Sequence, residues 1–521
     1  MQKTALSFLL MMALPFAACS QEPSEEESTA LRNISRSIDI LDATWNTSIK
    51  GTTDNLYLVD TYNTVTGAVS GPSDVWPYTA VIEAHCSILE ALNAAKDIDK
   101  DLYEQKFPIY KSRLEQLIDN LEYYRGTYTL SSYATSNKEW SPFAVPRASR
   151  RGAANVTGIL NVYDDQMWLS RELIRAYRLT GNDAYLTEAA YLADYALEGW
   201  DCWRDADGNE YGGITWGPGY NSKHACSNAP LIQPLVWLHD IYSNSGETIE
   251  YFYRDENNNV ASATVERAEY YLNFAKKIYD WQKTRLKHSS GVYWDMMGAD
   301  NTILVSRGYR QHVDCGNPTG SLISYNTGTM IAGAAELYRT TSQASYLNDM
   351  GEATRASLNQ FAKYVRSQAT YEFSTDETAR NGFTTWFNDV LMRACVDAEP
   401  YVENIASKNI LNSFQTCLDY AFENHNRNNL LPIHLLEGWG TEEVTKGFHQ
   451  MAFASQYAML AVRLLAKKEA GVTANRVTAC ATADNVYTIS GVSMGAYDNV
   501  KQKLPKGVYI VGAKKLLLGN N

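Results

Sequence analysis

Apolar residues recur along most of this chain at positions i, i+3, i+4 and i+7, the spacing that one face of a helix presents. The pattern predicts a series of amphipathic helices separated by loops. The fourth of them runs into Gly181, a residue that can adopt the left-handed conformation that closes a helix. The twelve predicted helices span residues 29–46, 78–96, 101–125, 162–180, 183–199, 225–243, 262–284, 321–341, 343–366, 383–395, 402–425 and 446–468.

The connections between these helices alternate in length. Residues 180–183 and 341–343 are tight turns, whereas residues 126–161, 200–224 and 285–320 are long and rich in Gly, Trp, Asn and Asp. Helical hairpins joined in this way can close into a ring whose long loops build a cleft on one face. The sequence therefore predicts an all-α fold, an (α/α)6 barrel of six helical hairpins. A helical solenoid is the alternative, but it requires a repeat of fixed length, which the sequence lacks.

The pattern changes after about residue 470. Residues 485–489 and 507–511 cluster β-branched and aromatic side chains between glycine and proline residues, which indicates strands. We therefore predict a catalytic domain over residues 29–470 and a small β-rich C-terminal tail over residues 471–521, without catalytic residues.

The N-terminus has the composition of an export signal. Lys3 precedes an apolar run that ends at Ala18 and is too short to span a bilayer. Small residues directly before Cys19 resemble a bacterial lipobox, so residues 1–18 are predicted to be a lipoprotein signal peptide and Cys19 the lipidated residue. An ordinary signal peptide with a chance cysteine is the alternative.

Residues 19–28 are acidic and contain Ser and Pro, which predicts a flexible tether. A short acidic run behind a lipid-bearing cysteine is similar to the export signal of Bacteroidetes surface lipoproteins. We therefore expect the protein to be anchored on the outer face of the outer membrane of a Gram-negative bacterium.

Charge and cysteine content exclude several classes of protein. The net charge of −13 argues against a nucleic-acid partner, which requires a basic face. Seven cysteines remain after Cys19, an odd number without a Cys-x-x-Cys pair, which argues against a disulfide framework and against a zinc site. A single bridge between Cys202 and Cys226 stays open. No metal and no organic cofactor is expected.

Asp164 and Asp165 stand side by side at the start of the fourth predicted helix, between Tyr163 and Trp168. Carboxylates at a helix start can simply cap exposed N–H groups. Two carboxyls at the mouth of a long loop also suit cleavage of a glycosidic bond, which needs one carboxylate at the anomeric carbon and one proton donor at the leaving oxygen. Because neighbouring carboxyls repel when both are ionised, one is expected to stay protonated.

Further motifs follow the acid pair in order along the chain. They are Gly212-Gly213-Ile214-Thr215-Trp216, Ser227-Asn228-Ala229-Pro230, Tyr325-Asn326-Thr327-Gly328-Thr329 and Trp386-Phe387-Asn388-Asp389. With the Tyr-Asp-Asp-x-x-Trp signature they resemble glycoside hydrolase family 76, the α-1,6-mannanases, over residues 30–470. The resemblance implies an (α/α)6 barrel and retaining endo-hydrolysis of α-1,6-linked mannan, with Asp164 as nucleophile and Asp165 as general acid/base. Thr327 departs from the glutamine that is commoner there.

Aromatic and polar side chains around the predicted cleft are candidate sugar contacts. Aromatic rings pack on the C–H face of a pyranose, and amides and carboxylates bind its hydroxyls. Structural packing is the alternative for each of them. The predicted substrate-binding residues are Trp76, Tyr163, Trp168, Trp216, Asn228, Asp295, Tyr325 and Asn326, with Tyr293 and Trp294 as further aromatic candidates.

Taken together, the sequence predicts a monomeric, surface-anchored enzyme that binds α-mannan or manno-oligosaccharides and cuts fungal-type mannan. A non-catalytic glycan-binding lipoprotein is a second hypothesis, and such a protein has no need of an acid pair. Another (α/α)6 enzyme, such as an uronyl hydrolase or a polysaccharide lyase, is a third, although its anionic substrate would favour clustered Arg and Lys in the loops.

Overall fold

A computed structural model describes residues 23–298, 302–374, 382–402 and 404–480, together with four short strands between residues 485 and 518. The predicted signal peptide and Cys19 lie outside the described residues. The fold is mostly helical, and the all-α prediction is confirmed. The α-helices are α1 (Glu25–Ser48), α2 (Val75–Ala95), α3 (Lys100–Asp119), α4 (Tyr163–Thr180), α5 (Asp183–Leu197), α6 (Ile232–Tyr242), α7 (Arg267–Leu286), α8 (Ser324–Thr341), α9 (Ala344–Phe361), α10 (Thr384–Ala398), α11 (Ile405–Asn424) and α12 (Gly447–Cys480).

Each of these helices overlaps one of the twelve predicted segments, and their burial divides them into two rings. The even-numbered helices α2, α4, α8 and α10 are buried along most of their length, whereas α3, α7 and α9 bury a single stripe. Each inner helix packs against an outer partner, and α12 packs against both α1 and α2. The first and last helices therefore close the ring, which is the architecture of six helical hairpins.

The long connections meet at one face of the barrel. Four of the links from an inner to an outer helix are short, such as the two residues between α4 and α5. The links from an outer helix to the next inner helix are long. Four of them comprise residues 49–74, 120–162, 198–231 and 287–323. These loops therefore surround the first turns of the inner helices, where the predicted acid pair also lies.

Several predicted helix boundaries are corrected. The side chain of Ser24 accepts a hydrogen bond from the Glu27 amide, and the Ser24 amide donates one to the Glu27 carboxylate, so α1 begins at Glu25 inside the predicted tether. Residues 262–266, predicted as helix, belong to the strand Val260–Glu266, which pairs antiparallel with Thr248–Arg254. Residues 362–365 likewise form a strand instead of the end of α9.

The strands form small sheets in the connections. They are β1 (Ile49–Thr52), β2 (Asn55–Leu58), β3 (Tyr62–Asn63), β4 (Tyr128–Leu130), β5 (Lys138–Trp140), β6 (Lys223–His224), β7 (Thr248–Arg254), β8 (Val260–Glu266), β9 (Met296–Met297), β10 (Val305–Ser306), β11 (Tyr309–Arg310), β12 (Pro318–Thr319), β13 (Ala362–Val365), β14 (Thr370–Phe373), β15 (Val444–Thr445), β16 (Asn485–Thr488), β17 (Ser493–Ala496), β18 (Gly507–Val511) and β19 (Lys514–Leu518). Two of them are relevant below: β7 and β8 form a long antiparallel hairpin between α6 and α7.

The C-terminal strands form one antiparallel sheet in the order β17-β16-β18-β19. Two of them, β16 and β18, coincide with the predicted strand segments. Within the described residues, none of the helices has the length and apolar content needed to cross a bilayer.

Candidate active site

A cleft of about 500 Å³ opens at the face where the inner helices begin. The starts of α2, α4, α8 and α10 supply part of its lining, and the loops before α4, α6 and α8 supply the rest. The polar and aromatic side chains that line it are Asp74, Trp76, Asp164, Asp165, Trp216, Tyr220, His224, Cys226, Asp295, Tyr325, Phe383 and Phe387. The structure therefore brings together both predicted acids and four of the predicted substrate-binding residues.

The start of α4 is fixed by the loop that crosses it. The amide of Tyr163 donates to the carbonyl of Trp216 at 2.8 Å, which joins the two segments that flank the cleft. Asp164 and Asp165 follow in the first turn of α4, where helix N–H groups have no partner within the helix. Both carboxyls therefore enter the same cleft from adjacent positions.

Behind the acid pair, the ring of Tyr163 is buried and packs on Tyr195 with 5.2 Å between ring centroids. Gly199 makes this packing possible, because a Cβ there would lie 2.6 Å from the Tyr163 ring. Tyr163 therefore supports the first turn of α4 and does not line the cleft. The structure thus places this predicted substrate-binding residue outside the cleft lining.

The environment of Asp164 combines burial with hydrogen-bond donors. Burial raises the pKa of its carboxyl to about 6, while the Cys226 thiol and the Trp216 indole act in the opposite direction. The backbone N–H groups at the start of α4 also favour the charged form of Asp164. At neutral pH this carboxyl is therefore ionised.

The environment of Asp165 disfavours charge. Its side chain is 5% exposed, and burial raises its pKa well above the usual range of an aspartate. The neighbouring charges of Asp164 and Asp74 raise it further. When the pair holds one proton, that proton therefore resides on Asp165.

Aromatic rings form two walls of the cleft. On one side Trp76 packs on Phe383 at 4.8 Å between ring centroids and on Phe387 at 6.1 Å. The Trp76 indole N–H has no hydrogen-bond partner among the described residues, so it can donate to a ligand. On the other side Trp216 packs on Tyr220 at 4.5 Å and on His224 at 4.6 Å.

Asp295 reaches the cleft through a small sheet in the loops. Strand β9 follows it directly and pairs with β6, and the carbonyl of Asp295 accepts a hydrogen bond from the Ala225 amide at 2.8 Å. These contacts bring Asp295 beside Cys226, although the two residues lie on different long loops. The predicted proximity of Asp295 to the acid pair follows from this pairing.

Trp168 and the two asparagines lie outside the cleft lining. The Trp168 indole N–H donates to the Tyr325 hydroxyl at 2.7 Å beneath the cleft. Asn228 is fully buried, and its amide group donates to the Ile214 carbonyl at 2.9 Å while accepting from the Ile214 amide at 2.8 Å. Asn326 is also fully buried. The structure thus places these three predicted substrate-binding residues outside the cleft lining.

The further aromatic candidates, Tyr293 and Trp294, are not part of the cleft lining either. Tyr293 is buried, and Trp294 is half-buried with its ring edge-on to His288. Both contribute to packing of the loop before α8.

Sequence reasoning missed several cleft residues. Asp74 is exposed and occupies the N-cap position of α2 without capping it. Its position shortly before a predicted inner helix is the signal that could have found it, because the acid pair also lies at the start of an inner helix. The aromatic Phe383 and Phe387 frame the start of α10 in the same way. His224, predicted to be structural, also lines the cleft, and burial lowers its pKa to about 4, so it is neutral.

The structure also bears on cysteine pairing and on possible metal ligands. The six cysteines whose side chains the structure describes, including Cys202 and Cys226, are unpaired, so a bridge between these two does not form. In the same part of the chain, no group of three or more His, Cys, Asp or Glu residues is arranged to hold a metal ion.

Comparison with models of known protein families gives a match over part of this chain. Residues 259–475 match the model of glycosyl hydrolase family 76. Among curated protein sequences, none matches the chain significantly.

Solved structures share the fold. A family 76 mannosidase from Bacteroides thetaiotaomicron superposes with a TM-score of 0.59 and 18% identity, covering 84% of this chain and all of that one. An inactive variant of an α-1,6-mannanase from Salegentibacter sp. HEL1_6, in complex with α-1,6-mannotriose, has a TM-score of 0.53 and 17% identity, covering 83% and 99% of the two chains. A family 76 α-mannanase from Bacteroides thetaiotaomicron has a TM-score of 0.57 and 15% identity, covering 86% and 100%. The predicted resemblance is confirmed by the family match over residues 259–475, and the chain shares the (α/α)6 fold of these structures.

Proposed function

We propose that this protein is a retaining, endo-acting glycoside hydrolase that cleaves α-1,6-mannosidic bonds. The observation that carries the proposal is the difference in pKa between two adjacent carboxyls in one cleft. Polar groups around Asp164 favour its charged form and hold its pKa to about 6, whereas burial beside other carboxyls raises the pKa of Asp165 well above the usual range. A retaining glycosidase needs this combination, a charged nucleophile and a protonated acid.

The reaction proceeds in two steps. In the first, an Asp164 carboxylate oxygen attacks the anomeric carbon while Asp165 delivers its proton to the departing glycosidic oxygen, which gives a mannosyl ester on Asp164. In the second, Asp165, now ionised, takes a proton from water as the water oxygen attacks the same carbon. Asp164 leaves as a carboxylate, and Asp165 has recovered its proton.

The proposed substrate is inferred from the lining of the cleft and from a solved structure that shares the fold. The cleft is open and flanked by the Trp76 and Trp216 walls, and its lining holds no Arg or Lys among the residues that the structure describes, which suits a neutral sugar chain. In the Salegentibacter α-1,6-mannanase, an inactive variant with two consecutive aspartates replaced was solved with α-1,6-mannotriose. Adjacent acids in a shared fold make the α-1,6-linked mannan backbone the substrate to test first.

The direct test replaces each acid in the chain lacking residues 1–22. Asp164→Asn and Asp165→Asn are each expected to lower the release of reducing ends from debranched yeast mannan by at least about 1,000-fold, because each removes one essential role in the reaction. Asp207→Asn is the matched control, since Asp207 is exposed in a loop and does not line the cleft. Circular dichroism of all three variants checks that the fold is retained.

The products distinguish the finer parts of the proposal. A ladder of manno-oligosaccharides indicates endo action, and an α-configured first product in proton NMR indicates retention. Near-normal hydrolysis by either asparagine variant would contradict the assignment of the acids. Binding of mannan without any new reducing ends would favour a glycan-binding protein instead.

We also propose that the protein is anchored through Cys19 to the outer face of the outer membrane. The small residues before Cys19 and the acidic run behind it support this proposal. Cells expressing the full chain are expected to incorporate labelled palmitate into it, and Cys19→Ala is expected to abolish the label and release the protein from the membrane fraction. Resistance of the protein to protease added to intact cells would contradict the surface location.

A further inference from the structure

A cavity larger than the catalytic cleft lies apart from the acid pair. It measures about 670 Å³ and lies between α5 and α7, covered by the β7–β8 hairpin and bordered by the loops around residues 132–140 and 197–210. We call it the outer groove. It shares no lining residue with the catalytic cleft, which measures about 500 Å³.

The groove exists because the hairpin is fastened at its tip. The Arg254 guanidinium donates to the Tyr133 carbonyl at 2.9 Å, and Arg204 donates to the Arg254 carbonyl at 3.0 Å. The hairpin base continues directly into α7 at Arg267. Protein interiors leave few voids larger than a water molecule, whereas ligand sites measure roughly 300–1,000 Å³. A hairpin that is fixed at both ends over such a space has the dimensions of a binding site.

Aromatic rings line much of the groove. Tyr251 and Tyr253 on the hairpin are half-exposed and lie 5.6 Å apart between ring centroids. Tyr251 contacts Tyr270 of α7 at 5.3 Å, and Trp200 contacts Phe274 at 6.0 Å. Flat rings that are partly accessible to solvent provide stacking surfaces for the C–H faces of sugars.

Most of the charged groups of the groove are paired with one another. Arg267 contacts Asp194 at 3.2 Å, Lys277 contacts Glu210 at 3.0 Å, and Arg204 contacts Glu210 at 3.6 Å. Because cations and carboxylates alternate around the groove, it has no field that attracts a polyanion. The pairs still present N–H donors and carboxylate acceptors, which suit the hydroxyls of a neutral ligand.

We propose that the outer groove is a second binding site for neutral glycan, which holds a segment of the mannan chain away from the acid pair. The accessible tyrosines would stack on the sugar rings, and the paired charges would bind hydroxyls. The choice of mannan rests on the proposed function, since a polymer that is cleaved in one cleft can engage a second site on the same molecule and gain avidity.

The test measures binding in an Asp164→Asn background, so that the polymer is not consumed. The probe is debranched yeast α-1,6-mannan in affinity electrophoresis. Tyr251→Ala combined with Tyr253→Ala is expected to weaken retention about fivefold to tenfold, the loss expected for two stacking rings. Tyr364→Ala is the matched control, because Tyr364 is a 50% exposed tyrosine on the separate β13–β14 hairpin. It is expected to leave retention unchanged.

A second pair of substitutions guards against loss of the fold. Tyr251→Leu combined with Tyr253→Leu keeps apolar side chains on the hairpin but removes the flat rings, and it is expected to weaken retention to a similar extent. Equal retention of the parent and the folded leucine variant would overturn the proposal, whatever the alanine variant does. This experiment measures binding independently of catalysis. If the wild-type chain cleaves no mannan but still retains it through the groove, only the proposed function is refuted.

Discussion

Asp164 and Asp165 are neighbours in the chain, and their different chemistry comes from the residues around them. The Cys226 thiol and the Trp216 indole face Asp164, whereas Asp165 faces the carboxyls of Asp164 and Asp74. The loop before α6 therefore determines which carboxyl carries the charge. Helix α4 alone would give both of them the favourable end of its dipole.

Cys226 offers a way to test this division of charge. Cys226→Ala removes a donor to Asp164 and is expected to move the acid limb of the kcat/KM profile on mannan, with its midpoint near the Asp164 pKa of about 6, to higher pH by about half a unit. Cys226→Ser keeps an O–H donor and is expected to leave that limb in place. The measurement is the pH dependence of mannan hydrolysis by the two variants and the parent.

Other ionisable groups near this thiol must be considered in the same experiment. Asp295 and Asp165 also act on Cys226, and Tyr220 and Tyr325 are close enough to feel the Asp164 charge. Neither substitution removes any of these groups. Parallel shifts of the acid limb in the alanine and serine variants would show that the change comes from packing, and the thiol would then have no role as a donor.

At the residue scale, sequence identified some side chains of the cleft and not others. Trp76, Trp216 and Tyr325 were accessible to prediction because each lies at the start of an inner helix or in a long loop. Asn228 belongs to an equally recognisable motif, but its amide binds the backbone of Ile214. A motif reports that a residue is required without saying whether it contacts substrate or holds the loop that does.

At the element scale, the barrel requires close contact between its inner helices. Gly328, in the Tyr-Asn-Thr-Gly-Thr motif of α8, lies against the backbone of α10. A Cβ at Gly328 would lie 2.8 Å from the Leu391 Cα and 3.0 Å from the Val390 carbonyl oxygen. These are backbone atoms, so neither can move without shifting a helix. The glycine therefore sets the distance between α8 and α10.

Gly328→Ala is expected to lower the free energy of unfolding by roughly 1–3 kcal/mol, because the added methyl group forces two helices apart. The matched control is Gly351→Ala in α9, where the nearest atom to an added Cβ is a flexible Arg355 nitrogen at 3.6 Å. This control is expected to stabilise the protein by about 0.5–1 kcal/mol, since alanine favours a helix. Urea denaturation followed by circular dichroism measures both. Equal effects of the two substitutions would contradict the close approach at Gly328.

Element positions were largely predictable, and element ends were not. Hydrophobic periodicity found all twelve helices, because each must bury a stripe against the barrel. The start of α1 was missed because Ser24 and Glu27 form a capping box within an acidic segment whose composition indicates disorder. The β7–β8 hairpin was missed because both its faces are partly exposed, which gives a weak period-two signal.

At the scale of the whole molecule, the interior of the ring holds charged side chains that composition could not reveal. Arg175, three turns beyond the acid pair on α4, binds Glu172 at 2.7 Å and Glu90 at 2.7 Å. Arg171 contacts Glu172 as well. The net charge of −13 describes the whole chain and gives no sign of these buried pairs. They are specified by inner helices that carry polar residues where a simpler bundle would be apolar.

Asp389 of α10 lies in the same interior and is fully buried. Burial raises the pKa of its carboxyl to about 8, although Gln456, Arg171 and Arg175 act to lower it and Glu172 acts to raise it. A carboxyl whose pKa is raised on folding stabilises the protein fully below its unfolded-state pKa near 4, and this stabilisation is lost as the pH rises through about 8. Asp389 therefore makes the barrel less stable as the solution becomes alkaline.

Asp389→Asn is expected to remove this dependence, because the amide fills the same space and does not ionise. The melting temperature of the variant minus that of the parent should become more positive by a few degrees between pH 5 and pH 8. Asp207→Asn, at an exposed loop position, provides the control and is expected to give a nearly constant difference. Scanning calorimetry at several pH values measures all three proteins. A difference for Asp389→Asn that stays constant or becomes more negative with pH would mean that Asp389 is already ionised in the folded barrel and is held there by Arg171 and Arg175.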